Sequence, residues 1–560
     1  MRSKLSRYWP LTTATCLVLF AGCGVESARP GPASDLPGDV TSSVLASEAE
    51  TNSAPVSANS GAGLTTPAPS DVLSTRPTLE RRATASVQVV GDPLTRGADA
   101  DTNTRTDDDS GTDARTGTAD EPKVDPRVKT LAWLADESVG ENFPAPTART
   151  SGGGEVPRIM LPEEPLEFVR PEAVKGIYLN AWAAGSAARS QALIDLATRT
   201  EVNAFVIDLK DASGYVSYAT QVMTAREAGA DQEIRIRDLT ALLERLQEAG
   251  IYPIARIVIV KDPLLIHAQR EWAVQDTAGG AWVDGNGSLW ANLHDQRVWD
   301  YHVDLAKEAA AVGFPEIQWD YIRFADAPPE HLLRATYPGA DGRRRRDVVE
   351  GFLEYARAEL EDSGVDVTLD VFGATTSSST DIGIGQYWEN FIGSVDVAQP
   401  MVYPSHYWEG SFGFKDPNGH PYEIVRAALV SAMQRSEAMG EAVGLTRPWL
   451  QDFTLGEPFY EAPEVRAQIQ ATYDAGIDEW LLWNAGSRYT EAALAPAGGY
   501  PEDVEPLMRV GGRIVPVSER YEAMAAEAEE RAVADSLAAV VADGVASEPE
   551  SLEVVGGIRR

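Results

Sequence analysis

The chain has 560 residues, with 48 Lys plus Arg against 85 Asp plus Glu and a formal net charge of -37. Phosphate binding requires clustered cations. The one dense basic run, Arg343 to Arg346, reads as a solvated helix start or loop, so nucleic acid is excluded as a partner. Both cysteines, Cys16 and Cys23, lie near the N-terminus, which leaves the rest of the chain without a disulfide, a cysteine metal site or a thiol nucleophile.

Residues 1–23 have the layout of an export signal: Arg2, Lys4 and Arg7, then an apolar stretch from Leu11 to Ala21, then small residues. The apolar stretch is shorter than the roughly 20 residues of a membrane span. Phe20-Ala21-Gly22-Cys23 resembles the lipobox of bacterial lipoproteins, departing from it in Phe20, where Leu is usual. The resemblance implies a lipid anchor on Cys23, hence a membrane-attached chain in the cell envelope. Gly24 suits an outer-membrane destination; ordinary secretion is the alternative. Residues 24–157 are rich in Ser, Thr, Ala, Pro, Asp and Gly. Such a segment buries too little apolar surface to offset its ordering entropy and reads as a flexible tether.

From Val174 onward, apolar runs alternate with amphipathic helical patterns. The runs at 175–182, 203–211, 252–260, 316–324, 367–373, 395–403, 443–453 and 479–484 predict eight strands. Helical spacing falls at 236–249, 298–312, 348–362, 421–439 and 462–475, with Gly250, Gly313, Gly364 and Gly476 as left-handed caps. Strand–helix alternation builds a parallel sheet, and eight units predict a single (β/α)8 barrel, an α/β domain over residues 158–510. An open doubly wound sheet is the runner-up, but no Gly-rich phosphate loop follows any strand. Residues 511–560 form a tail with an Ala- and Glu-rich helix.

Barrel enzymes place their chemistry at the C-terminal ends of the strands. Here those ends carry Asp208 and Asp211, Arg256, Asp320 and Arg323, Asp370, Tyr403 and His406 with Glu409 beyond, Asp452, and Trp483 with Asn484. So many charged groups on apolar strands are costly unless paired or used. Glycoside hydrolysis needs two carboxyl groups across the scissile bond. Asp320 is the expected nucleophile or charge stabiliser, with the adjacent Arg323 as its expected ionic neighbour. Asp370, Asp452 and Glu409 remain open as the acid. Asp208, Asp211, Arg256, Arg323, Tyr403, His406, Trp483 and Asn484 are candidates for substrate binding, and Trp182, Trp290, Trp319 and Trp408 are further candidate sugar platforms. No His-x-His or His-Glu-x-x-His pattern occurs, so neither a zinc site nor a cofactor is expected; carboxylate binding of Mg or Ca at Asp208 and Asp211 is a minor alternative. No Gly-x-Ser-x-Gly elbow occurs either.

The segments Lys175-Gly176-Ile177-Tyr178, Ile207-Asp208-Leu209-Lys210-Asp211, Gln318-Trp319-Asp320-Tyr321-Ile322-Arg323-Phe324, Gln399-Pro400-Met401-Val402-Tyr403-Pro404-Ser405-His406-Tyr407 and Pro448-Trp449-Leu450-Gln451-Asp452-Phe453 resemble a glycosyl hydrolase domain family of unknown function. That resemblance implies a TIM barrel related to amylase-like and α-galactosidase-like glycosidases. It gives Asp320 the strand-four nucleophile position and puts the acid on strand five or six, where Asp370 and Glu409 stand. An amylase-type enzyme would carry Glu on strand five, and this chain carries Asp. The expected activity is cleavage of an extracellular or envelope polysaccharide by a monomer. The competing expectations are an inactive carbohydrate-binding lipoprotein and a metal-assisted hydrolase.

Overall fold

The computed structural model describes residues 159, 161–162, 166–440 and 443–546; the export signal, Cys23 and the tether lie outside the described residues. Eight parallel strands form a closed ring: β1 (Lys175–Leu179), β2 (Ala204–Lys210), β3 (Tyr252–Val258), β4 (Glu316–Asp320), β5 (Asp366–Phe372), β6 (Val397–Met401), β7 (Trp449–Gln451) and β8 (Trp480–Trp483). Each strand pairs with the next in chain order, and β8 returns to β1. The expected (β/α)8 barrel is the observed fold.

Side chains alternate across each strand. In β4, Ile317 and Trp319 face outward, and Trp319 meets Phe352 edge-on at 5.4 Å. Glu316, Gln318 and Asp320 therefore point into the barrel. The outer layer contains α1 (Ala187–Arg199), α2 (Leu239–Glu248), α3 (Gln296–Val312), α4 (Arg345–Leu360), α5 (Pro421–Met439) and α6 (Ala462–Asp474). Several helices start on a side-chain cap: Asp238 accepts from Ala241 N, and Glu461 and Glu464 form a reciprocal capping box. The expected glycine terminators turn left-handed, with φ of 119° at Gly313 and 82° at Gly476.

The seventh strand departs from expectation. Residues 443–453 form two short pieces, Leu445–Thr446 beside β6 and then β7 itself. Pro448 stands between them with no N–H to donate, which breaks the ladder.

The barrel floor is charged. Arg447 and Glu316 form a fully buried ion pair, and Arg447 Nε lies 3.8 Å from Glu479. Arg170 extends this network, 2.8 Å from Glu479 and 3.7 Å from Asp366. After β8, a hairpin of β9 (Leu507–Val510) and β10 (Arg513–Pro516) leads into α7 (Arg520–Ala546). Met508, Val510 and Ala523 are buried in the main core, so the hairpin and the first turns of α7 pack onto the barrel's helical layer.

Candidate active site

One guanidinium organises the barrel mouth. The register sets Arg256 of β3 beside Asp208 of β2 and Gln318 of β4, all facing inward. Arg256 Nε donates to Asp320 Oδ2 at 3.0 Å, and Nη2 donates to the same oxygen. Nη1 donates to Asp208 Oδ1, and Tyr178 Oη donates to Asp208 Oδ2. Asp370 Oδ2 lies 3.9 Å from Nε. Three carboxyl groups thus surround one cation, and all four side chains are buried. Tyr321 N closes the set by donating to Asp320 Oδ1 at 2.6 Å.

Asp370 is held from several sides. Gln318 Nε2 donates to Oδ2 at 2.8 Å and Trp449 Nε1 to Oδ1 at 2.7 Å. With its amide turned to satisfy its neighbours, Gln399 also donates to Oδ1, at 2.9 Å. Burial raises the Asp370 pKa well above the carboxylate range and Asp320 adds to the rise, while Arg256 opposes it. Asp208 is likewise raised by burial, against the pull of Arg256. Asp452 follows the last residue of β7 and accepts from the Thr490 N–H at 2.9 Å and the Thr490 hydroxyl at 2.7 Å. Burial pushes it up to about 6 in spite of those two donors.

The opposite arc of the mouth is aromatic. Tyr178 stacks on Trp483 at 4.1 Å, and Trp449 meets Trp483 edge-on at 5.4 Å. Tyr403, His406 and Phe453 form a second group, with centroids 5.2 to 5.8 Å apart. Half-buried His406 is held by desolvation at a pKa of about 4, so its imidazole is neutral at pH 7. Ser405 Oγ sits 2.9 Å from its Nδ1 and donates to Gln451 Oε1 at 2.8 Å. The Arg256 guanidinium carbon lies 5.2 Å from the Trp483 ring and 5.5 Å from Tyr178, which joins the two arcs.

Several sequence-derived expectations change. Arg323 is not the partner of Asp320: it donates to Asp326 Oδ1 at 2.6 Å and lies over the Phe372, Tyr321 and Trp290 rings. The strand ends at Asp320, and Tyr321 turns the chain at φ 56°, so spacing no longer dictates which way Arg323 points. Asp211 accepts from Ser213 and pairs with Arg235, while both oxygens of Asp208 face Arg256 or Tyr178. The two carboxylates thus turn to different partners and do not form a shared pair. Trp319 and Trp290 are core residues, not platforms. Glu409 lies in an exposed turn of the loop that follows β6, next to Trp408. Asn484 braces the rim, donating to the Asp452 carbonyl at 2.6 Å. The sequence reading missed Tyr178, Gln318, Gln399, Trp449 and Thr490. The first four sit at inward positions of strands, a parity legible once strand ends are known; Thr490 lies in a loop and gave no such signal.

The family model described as "Putative glycosyl hydrolase domain" matches residues 176–489, more than half of the chain. The chain belongs to this family. No curated protein matches the sequence. Among solved structures, it is similar to a hypothetical protein from Ruminiclostridium thermocellum, at 36% identity over 35% of this chain and 97% of that one, with a TM-score of 0.32. It is also similar to the PgaB (BpsB) glycoside hydrolase domain from Bordetella bronchiseptica, at 12% identity over 56% of this chain and 94% of that one, with a TM-score of 0.41. The α-galactosidase TtGalA from Thermus thermophilus matches at 16% identity over 63% of this chain and 66% of that one, with a TM-score of 0.37.

Proposed function

We propose that this glycosyl hydrolase family member cleaves glycosidic bonds in an extracellular or envelope polysaccharide, with Asp320 as nucleophile and Asp452 as proton donor. The observation that carries this reading is the division of the mouth: Asp208, Arg256, Asp320 and Asp370 on β2 to β5 face an aromatic arc on β6, β7, β8 and β1. Tyr178, Trp449 and Trp483 are buried and wall the carboxylate cluster, and the half-buried rings of His406 and Phe453 are the part of the arc open to the apolar face of a pyranose.

In this scheme Asp452 gives its proton to the glycosidic oxygen as the bond from C1 to that oxygen breaks. Asp320 closes on C1 to form a glycosyl–enzyme ester, and Asp452, now ionised, takes a proton from the water that hydrolyses the ester. Asp452 fits the acid role because its pKa of about 6 keeps a protonated fraction near neutral pH. Asp370 fits a positioning role, since Gln318, Trp449 and Gln399 occupy its oxygens from within the barrel. Arg256 fixes Asp320 and offsets part of the negative charge of the cluster.

Asp320→Asn tests the assignment. Loss of the nucleophile is expected to lower kcat by about four orders of magnitude or more; a variant that keeps parental kcat removes Asp320 from the chemistry. If the parent binds polysaccharide and cleaves none, a binding-only barrel replaces the enzyme. The same proposal places the domain in the cell envelope, exported and lipid-anchored through Cys23.

A further inference from the structure

Among the described residues, four aromatic side chains are exposed: Trp182, Trp408, Phe459 and Tyr521. Three of them lie in segments that follow barrel strands at the mouth end, Trp182 in a short helix (Ala181–Gly185) and Trp408 and Phe459 in loops. Trp182 follows β1 and is 58% exposed, Trp408 follows β6 at 40%, and Phe459 follows β7 at 67%. Exposing large apolar rings to water is unfavourable, and elsewhere on the described surface only Tyr521, on α7, does so. The segments that carry them follow β1, β6 and β7, so all three rings lie at the same end of the barrel as the Asp320 cluster.

Trp182 is also mounted rigidly. The Arg235 guanidinium carbon lies 5.3 Å from its ring and 5.4 Å from the Tyr215 ring, so the cation joins the two. Arg235 is fixed in turn by Asp211 and by Glu233, whose Oε1 accepts from Nε at 2.9 Å. The backbone beneath is equally tight: a Cβ on Gly185 would fall 1.9 Å from the Arg235 carbonyl oxygen. A braced ring has little orientational freedom left to lose when a ligand stacks on it. The loops of Trp408 and Phe459 are tied together, since Asn418 Nδ2 donates to the carbonyls of Leu455 at 3.0 Å and Glu457 at 2.8 Å.

We propose that Trp182, Trp408 and Phe459 form a track of stacking platforms for successive sugar rings of a polysaccharide, outside the bond-breaking site. Resting on the glycosidase reading above, this makes the substrate an extended chain and not a small glycoside. Each platform offers one flat apolar face and no charge of its own, which suits neutral pyranose rings and discriminates little among their hydroxyl patterns.

Native affinity electrophoresis of the Asp320→Asn chain, in separate gels of soluble starch, galactomannan, dextran and glycol chitin, tests the track. At least one polymer is expected to retard the chain. W182A, W408A and F459A, made in that background, are each expected to weaken retardation by about two- to tenfold, and the triple variant to lose it. Y521A is the control and retains it. All these side chains are exposed, and an unchanged melting temperature confirms folding. The track is overturned if none of the four polymers retards the parent, if the triple variant is retarded as strongly as the parent, or if Y521A loses as much as the rim variants. The two readings separate cleanly. Polymer cleavage by the wild-type chain with rim-independent binding sinks the track alone. Rim-dependent binding without cleavage sinks the hydrolase alone.

Discussion

Two raised carboxyl groups give the molecule opposite uses of one physical effect. Asp452 is pushed up to about 6 by burial at the mouth. If it is the acid, kcat/KM requires its protonated form and falls as pH rises through about 6. Asp452→Asn is expected to lower the rate by about 10²–10⁴-fold and to erase that limb of the profile; a surviving limb would assign it to another group. Asp366, at the barrel floor, is pushed up to about 6 by burial and then by repulsion from Glu316 and Asp396. A carboxyl raised on folding contributes stability that is fully present below its unfolded pKa and is lost as pH rises through the folded one. Asp366→Asn removes that titration, so its melting temperature is expected to gain on the parent's between pH 5 and pH 8. A constant difference across that range would show that Asp366 is not the titrating group. At this scale Asp320 was readable in the sequence, because it ends an alternating run with inward parity. Its partner was not. Arg323 is three residues away in sequence and leaves for Asp326, whereas Arg256 is 64 residues away and arrives through strand register.

The elements divide their work between the two ends of the barrel. At the floor, β4 supplies Glu316, and Arg447 precedes β7 to meet it, with both side chains fully buried. Removing one partner strands an uncompensated charge, a loss of about 3–5 kcal/mol. Arg447→Ala is therefore expected to lower the urea midpoint by that equivalent, and Glu316→Gln with Arg447→Met to recover part of it. If the single variant unfolds like the parent, the floor pair contributes nothing to stability. Strands and helices were legible because their periods differ and each terminates on a Gly or a cap. The break in the seventh strand was marked by Pro448 but masked by the apolar residues on either side. The β9–β10 hairpin was missed although Gly511-Gly512, both at positive φ, mark its two-residue turn; the flanking strands Leu507–Val510 and Arg513–Pro516 are short and follow the last barrel unit, where the sequence reading expects only a tail.

At the scale of the whole molecule, the proposal is a barrel anchored to the cell envelope through a lipid on Cys23. Metabolic labelling with an alkyne-tagged fatty acid is expected to mark the wild-type chain and not Cys23→Ser, which leaves the membrane fraction; equal labelling of both would end the anchor proposal. On that reading the proposed aromatic track suits an anchored enzyme that must hold a strand passing by.

The ring itself is uneven. Between β2 and β3 the ladder runs through six residue pairs, whereas β6 and β7 share only Trp449 with Met401, and the Leu445–Thr446 piece adds two pairs below. Local opening starts where the fewest backbone bonds must break. With those two the seam has three pairs, as many as join β7 to β8 and β8 to β1, so the whole arc from β6 round to β1 is lightly laddered, and the Asn418 tie lies across its first seam. The loops of Trp408 and Phe459 meet over this seam, while the Arg256 cluster stands on the well-laddered arc from β2 to β5. The barrel thus has a lightly laddered side, which carries Asp452 and the exposed rings, and a well-laddered side, which carries Asp320: in the proposed mechanism the acid stands on the looser wall and the nucleophile on the stiffer one.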